Sequence, residues 1–262
     1  MSRHWWAFWY AVVFLTRIPA PYLKRTDDQV AATSLLYYPL VGLLIGGCLL
    51  MLTLGTLFYN GEANLLLLAA ILVTASTLLT GALHLDGLAD SADAWVGGLG
   101  DRERTLAIMK DPQSGPLGVA AVVLALLLQT AALYALLDKA SSTYVKNWDW
   151  LLLCGGLLLV PMLARASAIG LLATTPYVRA NGLASALVAG ASYRRVLLIG
   201  GVLSLLCAAL LPAQALFIIA LWITITAAAR QMMMTRIGGC TGDTIGATIA
   251  AQEALLLAAI AL

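Results

Sequence analysis

Residues 35–59 read LLYYPLVGLLIGGCLLMLTLGTLFY, and this run decides what kind of protein the chain is. It carries no Asp, Glu, Lys, Arg or His over 25 residues, whereas about 20 residues of helix at ~1.5 Å rise cross the ~30 Å hydrocarbon core of a bilayer. Within lipid every backbone N–H and C=O must be paired, which leaves helices and closed barrels as spanning structures. The run is too long and too evenly apolar for a barrel strand. It predicts a transmembrane helix.

The rest of the chain repeats the pattern. Further apolar stretches run over Asn64–Leu83, Pro116–Leu137, Trp150–Ala173, Val196–Leu211, Ala213–Ala229 and Ile245–Leu262. Composition agrees, with 61% hydrophobic and 11% charged residues, against about 25% charged in an ordinary soluble domain. Trp5, Trp6, Trp9 and Tyr10 near the N-terminus suit a headgroup-level helix rather than a deep span, because their amphipathic rings favour the interface. The expected fold is an all-α polytopic transmembrane bundle of six to seven spans plus an N-terminal interfacial helix, one integral membrane domain over residues 1–262.

Charge tests this division independently, since the spans were drawn from hydropathy alone. With a cytoplasmic N-terminus, twelve of the fifteen Lys and Arg fall on the cytoplasmic side, Lys139 and Lys146 fall outside, and Arg165 lies within a span. That is the bias of the positive-inside rule. The cytoplasmic connections are then Thr16–Ser34, His84–Gly115, Thr174–Arg195 and Arg230–Thr244. A net charge of +2, confined to connections, gives no nucleic-acid-binding surface. Cys48, Cys154, Cys207 and Cys240 are scattered without a C-x-x-C pair and read as reduced packing residues. Gly42 with Gly46, and Gly155 with Gly156, allow close helix contact. Met232 to Met234 read as packing or lipid contact.

The chemistry gathers in the connections. After the second span comes His84-Leu85-Asp86-Gly87-Leu88-Ala89-Asp90-Ser91-Ala92-Asp93. If the helix continues, Asp90 lies about 40° and Asp93 about 20° from Asp86, so three carboxylates share one face. Like charges so placed call for a cation or a basic group, and hard divalent ions choose carboxylate and phosphate oxygens. The plain alternative is a solvated helix end. His84 is either a general base reached through a bend or an interfacial anchor.

Lys110-Asp111-Pro112-Gln113-Ser114-Gly115-Pro116 adds a cation, a further ligand or base, and a glycine that lets backbone approach a phosphate; the alternative is a turn that starts a helix. Arg236-Ile237-Gly238-Gly239-Cys240-Thr241-Gly242-Asp243 offers a glycine-rich phosphate cradle beside an Arg, with Asp243 as metal ligand or helix N-cap. Arg165 and Glu253 lie in spans, where they form either a structural pair or a substrate-facing site. Tyr177, Arg179 and Asn181-Gly182 contact an anionic substrate or form a plain turn.

At His84–Asp93, Met109–Gly118 and Gly238–Gly246, and in the early Phe14-Leu15-Thr16-Arg17-Ile18-Pro19 segment, the chain resembles the cobalamin synthases, the adenosylcobinamide-GDP ribazoletransferases of late cobalamin biosynthesis. The resemblance implies an Mg²⁺-dependent reaction in which adenosylcobinamide-GDP and α-ribazole, or its 5′-phosphate, give adenosylcobalamin, or its 5′-phosphate, and GMP. It implies Asp86, Asp90, Asp93 and Asp243 as metal ligands, with catalytic roles for Asp86, Asp90 and Asp111 or His84. Substrate contacts then fall to Lys110, Gly115, Arg165, Arg179, Arg236, Gly238, Gly239, Thr241 and Gly242. The expected setting is the bacterial cytoplasmic (inner) membrane with the active site facing the cytoplasm, and homo-oligomers or association with other late-pathway enzymes stay open. Gln113 departs from the pattern, standing where a basic residue is expected, which puts a phosphate contact there in doubt.

Two rival readings use similar residues. A CDP-alcohol phosphatidyltransferase needs an Asp three residues before Asp-Gly, where this chain has Leu83, and an Ala-Arg soon after, where Asp90 and Ser91 follow Ala89. A divalent-cation transporter needs its acids at the bilayer midplane, whereas here they cluster at a span end and in connections.

Overall fold

The computed structural model describes residues 2–59, 64–141, 147–179 and 185–262; Lys146, Asn181 and Gly182 lie outside the described residues. The chain forms α1 (Arg3–Leu15), α2 (Asp28–Ser34), α3 (Tyr38–Tyr59), α4 (Leu65–Thr80), α5 (Leu83–Gly97), α6 (Arg102–Ile108), α7 (Pro116–Ser141), α8 (Asn147–Thr174), α9 (Tyr193–Leu210), α10 (Ala215–Ile237) and α11 (Gly242–Ala261). Among the described residues there is no strand, and a lone parallel bridge joins Tyr177 to Cys240. Six helices among the described residues are long and apolar enough to cross a membrane: α2–α3 taken together, and α7 to α11. A seventh crossing is possible by length only if α4 and α5 are counted as a pair, which is bent by 89°. The polytopic helical bundle read from the sequence is the architecture observed.

Several boundaries differ from the expected ones, each for a local reason. The second span ends at Thr80 rather than Leu83, because Gly81 and Ala82 both take left-handed backbone (φ 61° and 58°). Arg17 wedges the break: its N–H donates to the Leu79 carbonyl, and its side chain occupies the space a Cβ on Gly81 would need. α5 therefore turns off the axis of α4, which at 16 residues reaches the length of a crossing only when paired with α5. At the other end, α10 runs through Arg230 to Ile237, so Met232–Met234 and Arg236 are helical rather than in a connection. α1, at 13 residues, is too short to cross a bilayer; it packs Ala7, Ala11, Val12 and Leu15 inward.

α8 is the central helix. Of its most apolar window 83% is buried, against 11% for α9 and α10, which face outward. α3 lies directly on α8 through the predicted small-residue face: a Cβ on Gly42 would strike the Pro161 carbonyl, and one on Gly46 the Leu157 carbonyl. The register has a cause in sequence, since Pro161 has no N–H to offer the Leu157 carbonyl and only a glycine can pass so close above that oxygen. Gly155 and Gly156 likewise admit Leu211, Leu136 and Leu257.

Among the described residues the bundle interior holds two neighbouring sets of polar contacts. Arg165 is fully buried, and its Nη1 donates to Glu253 Oε1 (2.7 Å) and to the Pro161 carbonyl (3.0 Å). One turn away, Trp222 Nε1 donates to Ser167 Oγ (2.8 Å), Ser167 to Gln252 Oε1 (2.6 Å), and Gln252 Nε2 to Thr226 Oγ1 (2.8 Å). The four cysteines are free, as expected.

Candidate active site

The predicted acids sit where α5 crosses α11. Gly87 makes the crossing possible, because a Cβ there would lie 2.6 Å from the Asp243 carbonyl oxygen and 3.1 Å from its Cα. Gly246 of α11 faces the start of α5 in return, with the His84 Cα 3.6 Å from its Cβ position. Asp86 and Asp243 thus occupy the first turns of two adjoining helices, where the aligned backbone dipoles favour negative charge.

Asp90 stands one turn further along α5. Its carboxyl is pushed up to about 6, first by burial, then by the charges of Asp86 and Asp243, with relief from Arg179 and a further push from Asp93. Four carboxylates therefore act on one another across two helices, and one guanidinium opposes them. Arg179 Nη1 pairs with Asp243 Oδ2 at 2.6 Å, and its Nη2 donates to the Met109 carbonyl at 3.2 Å. The bridge between Tyr177 and Cys240 sets this pair: Cys240 N–H donates to the Pro176 carbonyl (2.7 Å) and Val178 N–H to the Cys240 carbonyl (3.0 Å). Arg179 then arrives level with Asp243.

Asp93 is differently placed. Its Oδ2 accepts from Gly115 N–H (2.6 Å) and its Oδ1 from Gly118 N–H (2.9 Å), so it caps the start of α7 from a neighbouring helix. Gly115 accordingly gives its N–H to Asp93, not to a phosphate. Asp111 is exposed and accepts from Gln113 N–H (3.0 Å), closing a turn; Lys110 beside it is also exposed. In the last connection the N-cap of α11 is Thr241, not Asp243: Thr241 and Thr244 form a reciprocal capping box. Gly238 terminates α10 in left-handed backbone (φ 73°), and Gly239 is the bare surface on which Pro176 and Val178 pack. The glycine-rich stretch therefore serves chain approach more than it cradles a ligand. Arg236 lies over the Trp95 ring (5.8 Å), and Arg102 Nε donates to the Ile237 carbonyl (2.8 Å), locking the first long connection to the last. Arg165 lies in the bundle interior on Glu253 and acts on this site through its charge on His84.

Behind the acids lies a cavity of about 160 Å³. Its lining runs from the exposed Asp86 and the half-buried Arg179, Asp243 and Gly242, which mark its mouth, to Phe14 and the buried Leu172, Leu187 and Ile249. Three wall residues carry buried polar atoms without a hydrogen-bond partner: His84 Nε2, Tyr38 Oη and Arg179 Nε. Burial, and then the charge of Arg165, hold the His84 imidazole well below its usual pKa, so the ring is neutral. The sequence marked His84 from its neighbours, but nothing in the local sequence marked Tyr38, which arrives from the start of α3.

Oxygen-only donors of this kind suit a hard divalent cation. Among the described residues no three of His, Cys, Asp and Glu already stand in a ligating arrangement. That is compatible with Mg²⁺, which is commonly held by one or two carboxylates together with substrate phosphates.

A family model described as cobalamin-5-phosphate synthase matches residues 7–261. Among curated proteins, the chain is 45% identical over 266 residues to an adenosylcobinamide-GDP ribazoletransferase of Pseudomonas fluorescens (strain Pf-5), covering 97% of this chain and 98% of the relative. It is 44% identical over 261 residues to the protein of the same name from Pseudomonas syringae pv. syringae, again covering 97% and 98%. No solved structure matches the chain.

Proposed function

The chain belongs to the cobalamin-5-phosphate synthase family, and from that premise we propose that it is an adenosylcobinamide-GDP ribazoletransferase, a transferase embedded in the membrane by its apolar helices. The donor is adenosylcobinamide-GDP, and the acceptor is α-ribazole or its 5′-phosphate. The acceptor ribose hydroxyl attacks the phosphorus next to the cobinamide arm; a new P–O bond forms, the bond between the two phosphates breaks, and GMP leaves. One observation carries the reading: Asp86, Asp90 and Asp243 converge from two helices with more negative charge than Arg179 offsets, at the mouth of a cavity.

Mg²⁺ is the cation we assign to these carboxylates, with Asp86 and Asp90 as its protein ligands and Asp243 shared with Arg179. It would supply neutralisation of the diphosphate charge as GMP departs. Arg179 orients Asp243 and presents a guanidinium to the same anion. Of the two bases considered, His84 fits and Asp111 does not, since His84 is neutral and lines the same cavity as Asp86 whereas Asp111 closes an exposed turn. Asp93 positions the start of α7. The charge bias of the connections supports a cytoplasmic active face in the bacterial inner membrane.

Sealed vesicles test chemistry and orientation together. Inside-out vesicles holding the protein should release GMP from external adenosylcobinamide-GDP when α-ribazole and Mg²⁺ are present, and a chelator should stop release. Right-side-out vesicles should release none. Release of CMP from CDP-diacylglycerol with no GMP, or Mg²⁺ uptake with neither nucleotide, would overturn the reading.

A further inference from the structure

We infer that the cavity behind Asp86, Arg179 and Asp243 seats the benzimidazole base of the acceptor, and that the Tyr38 hydroxyl donates a hydrogen bond to the ring nitrogen that bears no sugar. The inference rests on the transferase reading above and gives that site its specificity.

Shape comes first. At about 160 Å³ the cavity is comparable to the roughly 150 Å³ apolar hole that takes up a benzene ring. It is also open at the exposed Asp86. Its walls are asymmetric: Phe14, Leu172, Leu187 and Ile249 inside, carboxylates and a guanidinium at the mouth. A nucleoside has the same asymmetry. Its aromatic base belongs within, and its ribose then lies at the mouth, where the attacking hydroxyl must meet the donor diphosphate.

Polar accounting then chooses the base. Tyr38 is 2% exposed, its ring is stacked on Phe14 (centroids 6.3 Å apart, planes at 25°), and its Oη has no partner. A buried hydroxyl left unpaired is costly, and phenylalanine would fill the same space without that cost. A ligand that accepts one hydrogen bond deep in the cavity removes the penalty. A benzimidazole riboside offers one such acceptor, its free ring nitrogen. Guanine, the base on the donor, carries several donors and acceptors that these apolar walls leave unpaired. Of the other unpartnered atoms on the wall, Arg179 Nε belongs to the guanidinium that pairs with Asp243, and His84 Nε2 is left for the ribose hydroxyl proton.

The test is a two-by-two comparison with the membrane-embedded enzyme: wild type and Tyr38→Phe, each with α-ribazole and with an analogue whose base is an indole, a CH replacing the free ring nitrogen. The wild type should lose about tenfold in kcat/KM on the analogue, through KM, the scale of one neutral hydrogen bond. Tyr38→Phe should lose about the same with α-ribazole and no more with the analogue, and its KM for adenosylcobinamide-GDP should not move. Equal discrimination by wild type and Tyr38→Phe would overturn the base seat while leaving the transferase reading intact. A raised KM for the donor in place of the acceptor would assign the cavity to guanine and overturn it too. No GMP from wild type under any condition would instead sink the transferase reading itself.

Discussion

Two places in the molecule gather charge, and they balance it in opposite ways. In the bundle interior Arg165 meets Glu253 at 2.7 Å, and the neighbouring Ser167, Gln252, Trp222 and Thr226 satisfy one another. At the α5–α11 crossing, Asp86, Asp90 and Asp243 face a lone Arg179, which pairs with one of them. In the first, one carboxylate neutralises one guanidinium, although the Arg165 Nε and Nη2 find no hydrogen-bond partner. The second carries uncompensated repulsion, which a fold keeps when a ligand is to relieve it. Charge count alone does not separate the two places; compensation does.

The largest expected effect lies at the crossing. Asp86→Ala should lower turnover about a thousandfold, the scale on which single charge-stabilising groups act in phosphoryl transfer. Its thermal stability in detergent should stay level or rise, because a like-charge repulsion has gone. Wild-type turnover at ordinary Mg²⁺ would remove Asp86 from the site, and a collapse in stability would make it structural, like Arg165.

Arg165→Leu should do the reverse. Stranding Glu253 against a buried apolar neighbour should cost about 3 kcal/mol of stability, while turnover per folded molecule stays near normal. The double variant Arg165→Leu with Glu253→Leu should recover most of the loss, since a buried pair can be exchanged for packed apolar groups. If folded Arg165→Leu were inactive, the interior pair would belong to the substrate site and the contrast between the regions would fail.

A smaller change tests whether the crossing is tuned by backbone approach. Gly87→Ala puts a methyl against the backbone of Asp243, so α5 and α11 must part by a fraction of an ångström. Turnover should fall about tenfold, since small misplacements in a reacting assembly are costly. Normal kinetics in Gly87→Ala would show that the distance between Asp86 and Asp243 is not held tightly.

Legibility from sequence followed range. Spans, small-residue contacts and the acid string all depend on residues within a few turns of one another, so the glycines at 42, 46, 155 and 156 and the acids of α5 were found by spacing. The helix break was not legible. Gly81 is tolerable inside a helix, and it is the packing of Arg17 and the left-handed Ala82 that turn α5 through 89°. Arg179 could be read equally as a turn residue or an anion contact, because the bridge that delivers it to Asp243 joins positions 177 and 240.

By itself, then, the sequence determined a many-spanning helical protein with acids gathered at one end, because lipid forces every backbone polar group into local hydrogen bonds and hydropathy records that demand directly. It also singled out Asp86, Asp90 and Asp243 as candidates. The tertiary structure alone decided that Asp93 holds α7, that Thr241 and not Asp243 caps α11, that Arg165 belongs to Glu253, and that Tyr38 from α3 closes a cavity with His84 from α5. Each of those outcomes depends on which side chain reaches an unpaired atom on a distant helix. Such partners are chosen by packing, and packing leaves no periodic trace along the chain.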